Sequence, residues 1–105
     1  MLDFTFATAP ELSAEFAKRL KAQRMRMDLS QPELAQRAGV ALGTVSAFEK
    51  TGRATLDTLF RLVIALGLVK ELEGLFLQQP TSIKDLEALS RPARKRVMRR
   101  PVGSR

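Results

Sequence analysis

The residues that could do chemistry in this chain are concentrated between residues 30 and 50, where the sequence reads SQPELAQRAGVALGTVSAFEK. The 105 residues include neither His nor Cys, which excludes a thiolate zinc site and removes most other zinc sites and most nucleophile–base pairs. There is also no Gly-Lys-Ser/Thr phosphate loop and no paired-carboxylate signature, so we expect no enzyme and no cofactor. What remains is contact chemistry, with hydrogen bonds from side chains such as Gln31, Thr44 and Ser46.

Positive charge is unevenly distributed along the chain. The formal net charge of +7 arises in residues 90–105, which hold seven basic residues and no acid, whereas residues 1–89 hold 11 of each sign. Within that neutral body, residues 18–53 hold eight basic and three acidic residues. A basic region together with a basic tail predicts a polyanion as the partner. The alternative for the tail is that it only aids solubility.

Composition and apolar runs limit the protein class. Apolar residues make up 45% of the chain, enough for the core of one domain. The N-terminus lacks the basic and apolar regions of a signal peptide, and the apolar run at 62–69 is too short to span a membrane. We therefore expect a soluble cytoplasmic protein.

Apolar spacing predicts an all-α fold of five helices. Capping signals place N-caps at Thr8, Ser30 and Thr55, with capping-box glutamates at Glu11 and Glu33. The helices are expected at about 10–26, 30–38, 42–50, 56–67 and 69–77. Their expected core residues are Leu12, Phe16, Leu20, Leu34, Ala35, Ala38, Val45, Phe48, Leu56, Leu59, Phe60, Val63 and Leu66. We divide the chain into an N-terminal arm at 1–9 with a possible short strand, a helical domain at 10–77, a short helical extension at 78–90 and a basic tail at 91–105 that we expect to be disordered.

The second and third predicted helices are joined by the turn Gly39-Val40-Ala41. A glycine at the start of this turn allows the positive φ that reverses the chain. Ala35 allows the two helices to cross closely, and Val45 fills the corner between them. A helix, a three-residue turn and a second helix at this spacing predict a helix-turn-helix.

The segments LSQPELAQRAGV, TVSAFEKTGR and LDTLFRLVIALGL resemble the Xre/Cro-type helix-turn-helix family of phage repressors and bacterial regulators. The likeness extends over about residues 12–76 and implies the five-helix lambda-repressor-like bundle. Members usually bind double-stranded DNA as symmetric dimers on near-palindromic operators. The resemblance thus implies a DNA partner and a homodimer, located at the nucleoid when bound.

The resemblance also assigns roles to individual positions. Gln31 matches a residue that anchors to a DNA phosphate, aided by nearby backbone N–H groups, and Thr44 matches a second phosphate contact. Arg24 and Glu49 match a structural ion pair. The positions that face base edges or begin and follow the third helix are Ala41, Leu42, Gly43, Ser46, Ala47, Lys50 and Arg53. In the tail, Arg94, Lys95, Arg96, Arg99 and Arg100 form a possible DNA arm.

The base-facing positions depart from the family pattern, which favours Gln, Asn, Arg or Lys. None of the side chains of Leu42, Gly43, Ser46 and Ala47 can form the bidentate hydrogen bonds that discriminate bases by about 1–3 kcal/mol. Leu42 and Ala47 can instead pack on thymine methyl groups. We expect specificity from methyl contacts, DNA shape and dimer spacing, and affinity mainly from phosphates.

The function these features predict is a sequence-specific transcriptional regulator, in the form of a dimeric repressor of its own operon. One alternative is an antitoxin that binds both an operator and a toxin protein, with residues 77–100 as the toxin-binding or dimer-forming extension. A second alternative is a protein-interaction module that has lost DNA reading. The basic character of residues 18–53 argues against the second.

Overall fold

The structure, a computed structural model, describes residues 2–78. Over this range the chain forms four α-helices and two short 3₁₀ helices. The α-helices are α1 (Ala9–Arg26), α2 (Gln31–Ala38), α3 (Leu42–Thr51) and α4 (Leu56–Ala65), and the 3₁₀ helices lie at Phe4–Phe6 and Val69–Leu72. The predicted all-α fold is confirmed. Residues 79–90 of the expected helical extension and the basic tail at 91–105 lie outside the described residues.

Local capping explains where the helices begin. Thr8 and Ser30 each accept a hydrogen bond from the backbone N–H three residues later, and the glutamate at that position bonds back to the cap. These capping boxes, each with a proline in the first turn, define the starts of α1 and α2. Thr55 caps α4 through the Thr58 N–H. The sequence signals at these three starts are therefore confirmed.

The core forms where α2 packs against α3 and α4 and where α1 crosses α3. Its centre consists of aliphatic and aromatic side chains removed from solvent, and each of the larger ones contributes about 1.5–3 kcal/mol through burial. These residues are Ala17, Leu29, Leu34, Ala35, Ala38, Val45, Phe48, Leu62 and Leu66. This packing fixes the relative position of α2 and α3.

Gly52 lies where the end of α3 comes close to the backbone of α1. It ends α3 with a φ of 80°, and a Cβ built on it would lie 2.7 Å from the Ser13 carbonyl carbon of α1. Both the dihedral angle and the lack of space require glycine here. The end of α3 is therefore tied closely to α1.

The N-terminal arm forms a 3₁₀ helix and not the short strand that the sequence left possible. Phe4–Phe6 form a 3₁₀ helix, because the Asp3 side chain accepts the Thr5 N–H and the Asp3 carbonyl accepts the Phe6 N–H. The rings of Phe4 and Phe16 have centroids 6.1 Å apart. The alternation of apolar residues reflects this local packing and not a strand.

The fifth predicted helix is much shorter than expected. In place of an α-helix at 69–77, the chain forms the 3₁₀ helix at Val69–Leu72, followed by turns. Gly74 interrupts this segment and weakens any helical continuation. Residues 1–75 form one compact unit, and of the residues that follow it the structure describes 76–78.

The buried side of α4 agrees with the prediction in part: Val63 and Leu66 are buried, and Leu59 packs against the core. The sequence pattern predicts Leu56 and Phe60 in the core, but they are 65% and 41% exposed, whereas Leu62 is 1% exposed. Because Leu56, Phe60 and Leu62 are all apolar, their spacing alone does not show that Leu62 packs inward while the other two face outward. Phe16 is also more than one-third exposed. Within the described residues, no helix is long and apolar enough to cross a membrane.

Candidate nucleic-acid interface

The turn between α2 and α3 has the backbone geometry expected of a helix-turn-helix. Gly39 has a φ of 72°, and the Val40 N–H donates to the Ala35 carbonyl at 3.0 Å. This hydrogen bond closes the end of α2 in the manner of a left-handed glycine cap. Ala35 and Val45 are both buried at the contact between the two helices. The turn therefore holds α3 in one orientation on α2.

One side of α3 is directed to solvent. Gly43, Ala47 and Lys50 are all exposed, and their spacing of four and three residues places them on one side of the helix. We call these three residues the exposed α3 face. Thr44 and Ser46 flank it and are half-buried. Of the three residues of this face, Lys50 is the one with a hydrogen-bonding side chain.

The beginning of α3 lacks the side-chain cap that α2 possesses. Ala41 occupies the N-cap position, and it offers no side-chain hydrogen bond. Leu42, the first residue of α3, is 48% exposed. A methyl group and an isobutyl group thus project beside the first turn of the helix, and these groups suit apolar contact better than polar recognition.

A buried ion pair joins α1 to α3. Arg24 Nε lies 2.7 Å from Glu49 Oε2, Arg24 Nη2 donates to Glu49 Oε1 at 3.0 Å, and Arg24 Nη1 donates to the Leu29 carbonyl at 2.6 Å. The guanidinium therefore connects α1, the segment before α2, and α3. Planar bidentate pairing of this kind fixes geometry as well as charge.

Gln31 extends this network to α2. Its side-chain amide donates to Glu49 Oε1 at 2.8 Å. We call Arg24, Gln31 and Glu49 the polar junction, because these hydrogen-bonded residues lie on α1, α2 and α3. The resemblance gives Gln31 a role toward DNA and gives the other two a structural role, but it does not indicate that the three side chains form one network.

The electrostatics of Glu49 follow from these contacts. Burial acts to raise the pKa of Glu49, but the hydrogen bonds from Arg24 and Gln31, with the positive charges of Arg24 and Lys21, outweigh it and lower the pKa from its ordinary value of 4.5. The carboxylate is therefore ionised at neutral pH. An ionised carboxylate can only accept hydrogen bonds, and here it accepts three.

The beginning of α2 offers fewer backbone donors than the sequence suggests. Pro32 has no N–H, and the Glu33 N–H donates to Ser30 Oγ at 3.2 Å. Hydrogen bonds with the backbone and the side chain of Ser30 lower the pKa of Glu33, so a carboxylate charge also lies at this end. Among the first three residues of α2, the Gln31 N–H is the one backbone donor with no partner in the described part of the chain. The expected group of N–H donors is thus reduced to one.

Basic side chains are located on either side of the exposed α3 face along the sequence. Lys50 lies on the face and Arg53 lies in the turn that follows α3, and both are exposed. Lys18, Lys21 and Arg37 are also exposed, and no salt bridge involves them within residues 2–78. The expected DNA arm, from Arg94 to Arg100, lies outside the described residues. No cluster of acidic side chains in the described range could hold a metal ion.

Comparison with known proteins assigns this region to a family. The sequence model of a helix-turn-helix family matches residues 20–73, which is just over half of the chain and includes all of α2, α3 and α4. No curated protein matches the sequence.

Proposed function

Because the chain belongs to the Xre/lambda-repressor-like helix-turn-helix family and is a DNA-binding protein of the regulator type, we propose that it is a sequence-specific transcriptional repressor acting on its own operon. The observation that carries the proposal is the exposed α3 face, held outward by α2 and free of covering side chains within the described residues. The family is a DNA-binding one and not an enzyme family.

The proposed contacts fall into two groups. Gln31, Thr44, Lys50 and Arg53 bind phosphates and set the position of α3 in the major groove. Five residues approach the base edges: Ala41 at the start of α3, and Leu42, Gly43, Ser46 and Ala47. Leu42 and Ala47 pack on thymine methyl groups there, since T presents the C5-methyl group in the major groove.

A homodimer on a palindromic operator would place two copies of α3 on the DNA, so that the modest base discrimination of each would add. The exposed row of Leu56, Phe60 and Ile64 on α4 supports this part of the proposal, because residues four apart form a continuous apolar ridge on a helix. The substitution F60E should shift the protein from dimer to monomer in light scattering, without unfolding α4. A wild-type chain that is monomeric at all concentrations would contradict the dimer.

The antitoxin alternative uses the same DNA-binding region. A small apolar face on α3 gives limited base discrimination, and a second protein bound to the regulator could supply the missing contacts. The tail residues from Arg94 to Arg100 could add phosphate or minor-groove contacts in either case. A toxin gene next to the gene for this chain would favour the antitoxin alternative.

Fluorescence anisotropy with two duplexes tests the proposal. The purified chain is titrated with its own upstream DNA and with a scrambled duplex of the same length, at two salt concentrations. We expect a preference of about 100-fold or more for the upstream DNA. We also expect a steep loss of affinity with salt, since each phosphate neutralised by Lys or Arg contributes about −0.9 to the slope of log K against log salt. Equal binding to both duplexes would contradict sequence-specific repression.

A further inference from the structure

The polar junction contains a contact that the DNA-binding role of α3 does not require. Glu49 has a side chain only 5% exposed, and its Oε1 accepts hydrogen bonds from both Arg24 Nη2 and Gln31 Nε2. The bidentate pair with Arg24 is already sufficient to neutralise the carboxylate. The additional bond fixes the side chain of Gln31, the first residue of α2.

The chemistry of the carboxylate determines which end of the amide faces inward. Because Glu49 is ionised and can only accept hydrogen bonds, the nitrogen of the Gln31 amide must face it and the oxygen must not. An amide nitrogen carries two hydrogens, and one of them is used by Glu49. The second N–H is left for another acceptor, and so is the backbone N–H of the same residue.

We propose that Glu49 is a positioning residue for DNA binding: its hydrogen bond fixes the Gln31 amide and directs the second side-chain N–H toward the DNA phosphate that the resemblance already assigns to Gln31. This inference rests on the proposed function and specifies how one phosphate is bound. Two donors from one residue suit a phosphate oxygen pair at a helix start.

Arg24 makes this arrangement possible on electrostatic grounds. Only the Gln31 amide would separate the Glu49 carboxylate from the bound phosphate. The two negative charges would repel each other unless a positive charge compensated that of Glu49. Arg24 supplies that compensation through its 2.7 Å contact, and its third bond, to the Leu29 carbonyl, connects the ion pair to the segment that leads into α2. Glu49 can therefore orient Gln31 without placing net negative charge at the phosphate.

The competing explanation is purely structural: Gln31 would be one more donor for a buried carboxylate, with no part in binding. The two explanations differ in what happens when a duplex binds. Because phosphate contacts do not depend on base sequence, a random-sequence duplex is a sufficient probe. Its use separates this inference from operator recognition.

Three substitutions form the test, each checked for helix content by circular dichroism. Q31A should weaken duplex binding about tenfold, the effect of losing a hydrogen bond to a charged group. The slope with salt should stay unchanged, because a neutral amide releases no counterion. Q36A, an exposed glutamine on the same helix, is the matched control and should bind as the wild type does.

E49D then tests the link between Glu49 and Gln31. Aspartate keeps the charge that Arg24 requires but is one methylene shorter, so it cannot reach both partners. We expect E49D to weaken binding several-fold in the wild-type background and to have no further effect when combined with Q31A. Independent, additive losses in the double variant would overturn the positioning role. So would unchanged binding by Q31A.

Nuclear magnetic resonance of the wild-type chain provides a readout that does not depend on whether E49D folds. The Q31A spectrum assigns the Gln31 side-chain amide pair. On addition of the random-sequence duplex, we expect a shift of the amide proton that is not bonded to Glu49. An amide pair that is unchanged by a duplex that does bind would contradict the inference and leave the proposed function intact. A wild-type chain that binds no duplex at all would contradict the proposed function itself.

Discussion

The polar junction and the exposed α3 face lie on the same helix but are built in opposite ways. The junction joins α1, α2 and α3 through hydrogen bonds among a buried guanidinium, a carboxylate and an amide. The face consists of Gly43, Ala47 and Lys50, and the α3 N-terminus beside it has no side-chain cap. The polar side chains of the junction therefore hold the helices together and fix Gln31, whereas the face that we propose for DNA bases has one hydrogen-bonding side chain, that of Lys50.

This difference indicates where substitutions should affect stability and where they should affect binding. A buried polar network loses much of its value when one member is removed, because the remaining groups stay buried without partners. An exposed face that few side chains cover can be changed at little cost to the fold. The following substitutions test this division.

Removal of Glu49 should have the largest effect. E49A leaves the Arg24 guanidinium buried without its carboxylate, and we expect a loss of about 3–5 kcal/mol in the free energy of unfolding. K50A, at the next position but exposed, should change that free energy by less than about 0.5 kcal/mol. Urea denaturation of both variants measures the contrast. Equal effects would remove the distinction between the two regions.

Alanine at Gly52 should have the next largest effect. The residue has a φ of 80°, and an added Cβ would meet the Ser13 backbone at 2.7 Å. Left-handed strain and the steric clash together should cost about 2–5 kcal/mol. G39A should cost less when its thermal unfolding is compared with that of G52A, because a Cβ at Gly39 meets only the end of the Arg61 side chain, at 3.6 Å. A G52A variant no less stable than G39A would show that α1 can move away from this turn.

Alanine at Gly43 should have the opposite sign. An added Cβ would meet no atom within 4 Å, and alanine favours a helix interior over glycine by about 1 kcal/mol. We therefore expect G43A to raise the free energy of unfolding by about that amount. If Gly43 lies against a base edge, the same variant should bind the upstream duplex more weakly. A more stable protein with unchanged DNA affinity would remove Gly43 from the interface.

Acid should weaken the junction gradually. The pKa of Glu49 in the folded protein is lowered from its ordinary value of 4.5, so its ionised form stabilises the fold at any pH above that value. This stabilisation is lost as the pH falls through the folded-state pKa. We expect E49Q to be less stable than wild type at neutral pH and to lose less stability than wild type on acidification. Parallel pH profiles from urea denaturation would contradict the assignment.

The sequence predicts the parts of this fold that depend on local signals. The capping residues Thr8 and Ser30 and the glycine turn at Gly39 are all found where expected, because each acts over three or four residues. The exposure of Leu56 on α4 is not predictable in this way, because Leu56 and Leu62 are equally apolar and only the tertiary packing distinguishes them. The predicted fifth α-helix at 69–77 forms only as the 3₁₀ helix at Val69–Leu72, because Gly74 weakens its continuation.

For the candidate site, a resemblance can assign roles to positions but cannot show which side chains meet. Gln31 and Glu49 are 18 residues apart, and no periodicity links them. Their hydrogen bond arises from the crossing of α2 and α3, which is a property of the tertiary structure. The tail residues that the sequence suggests as a DNA arm remain a prediction.

Replacement of thymine by uracil tests the proposal that the apolar residues of α3 contact thymine methyl groups. Uracil keeps every hydrogen-bonding group of thymine and lacks only the methyl group. In the upstream duplex, each contacted methyl should be worth about 0.8 kcal/mol, close to a fourfold change in Kd, and we expect the affinity to fall by that factor for each contacted thymine that is replaced. The contrary result would be unchanged affinity and unchanged preference for an upstream duplex in which uracil replaces every thymine. That result would show that α3 contacts no methyl group.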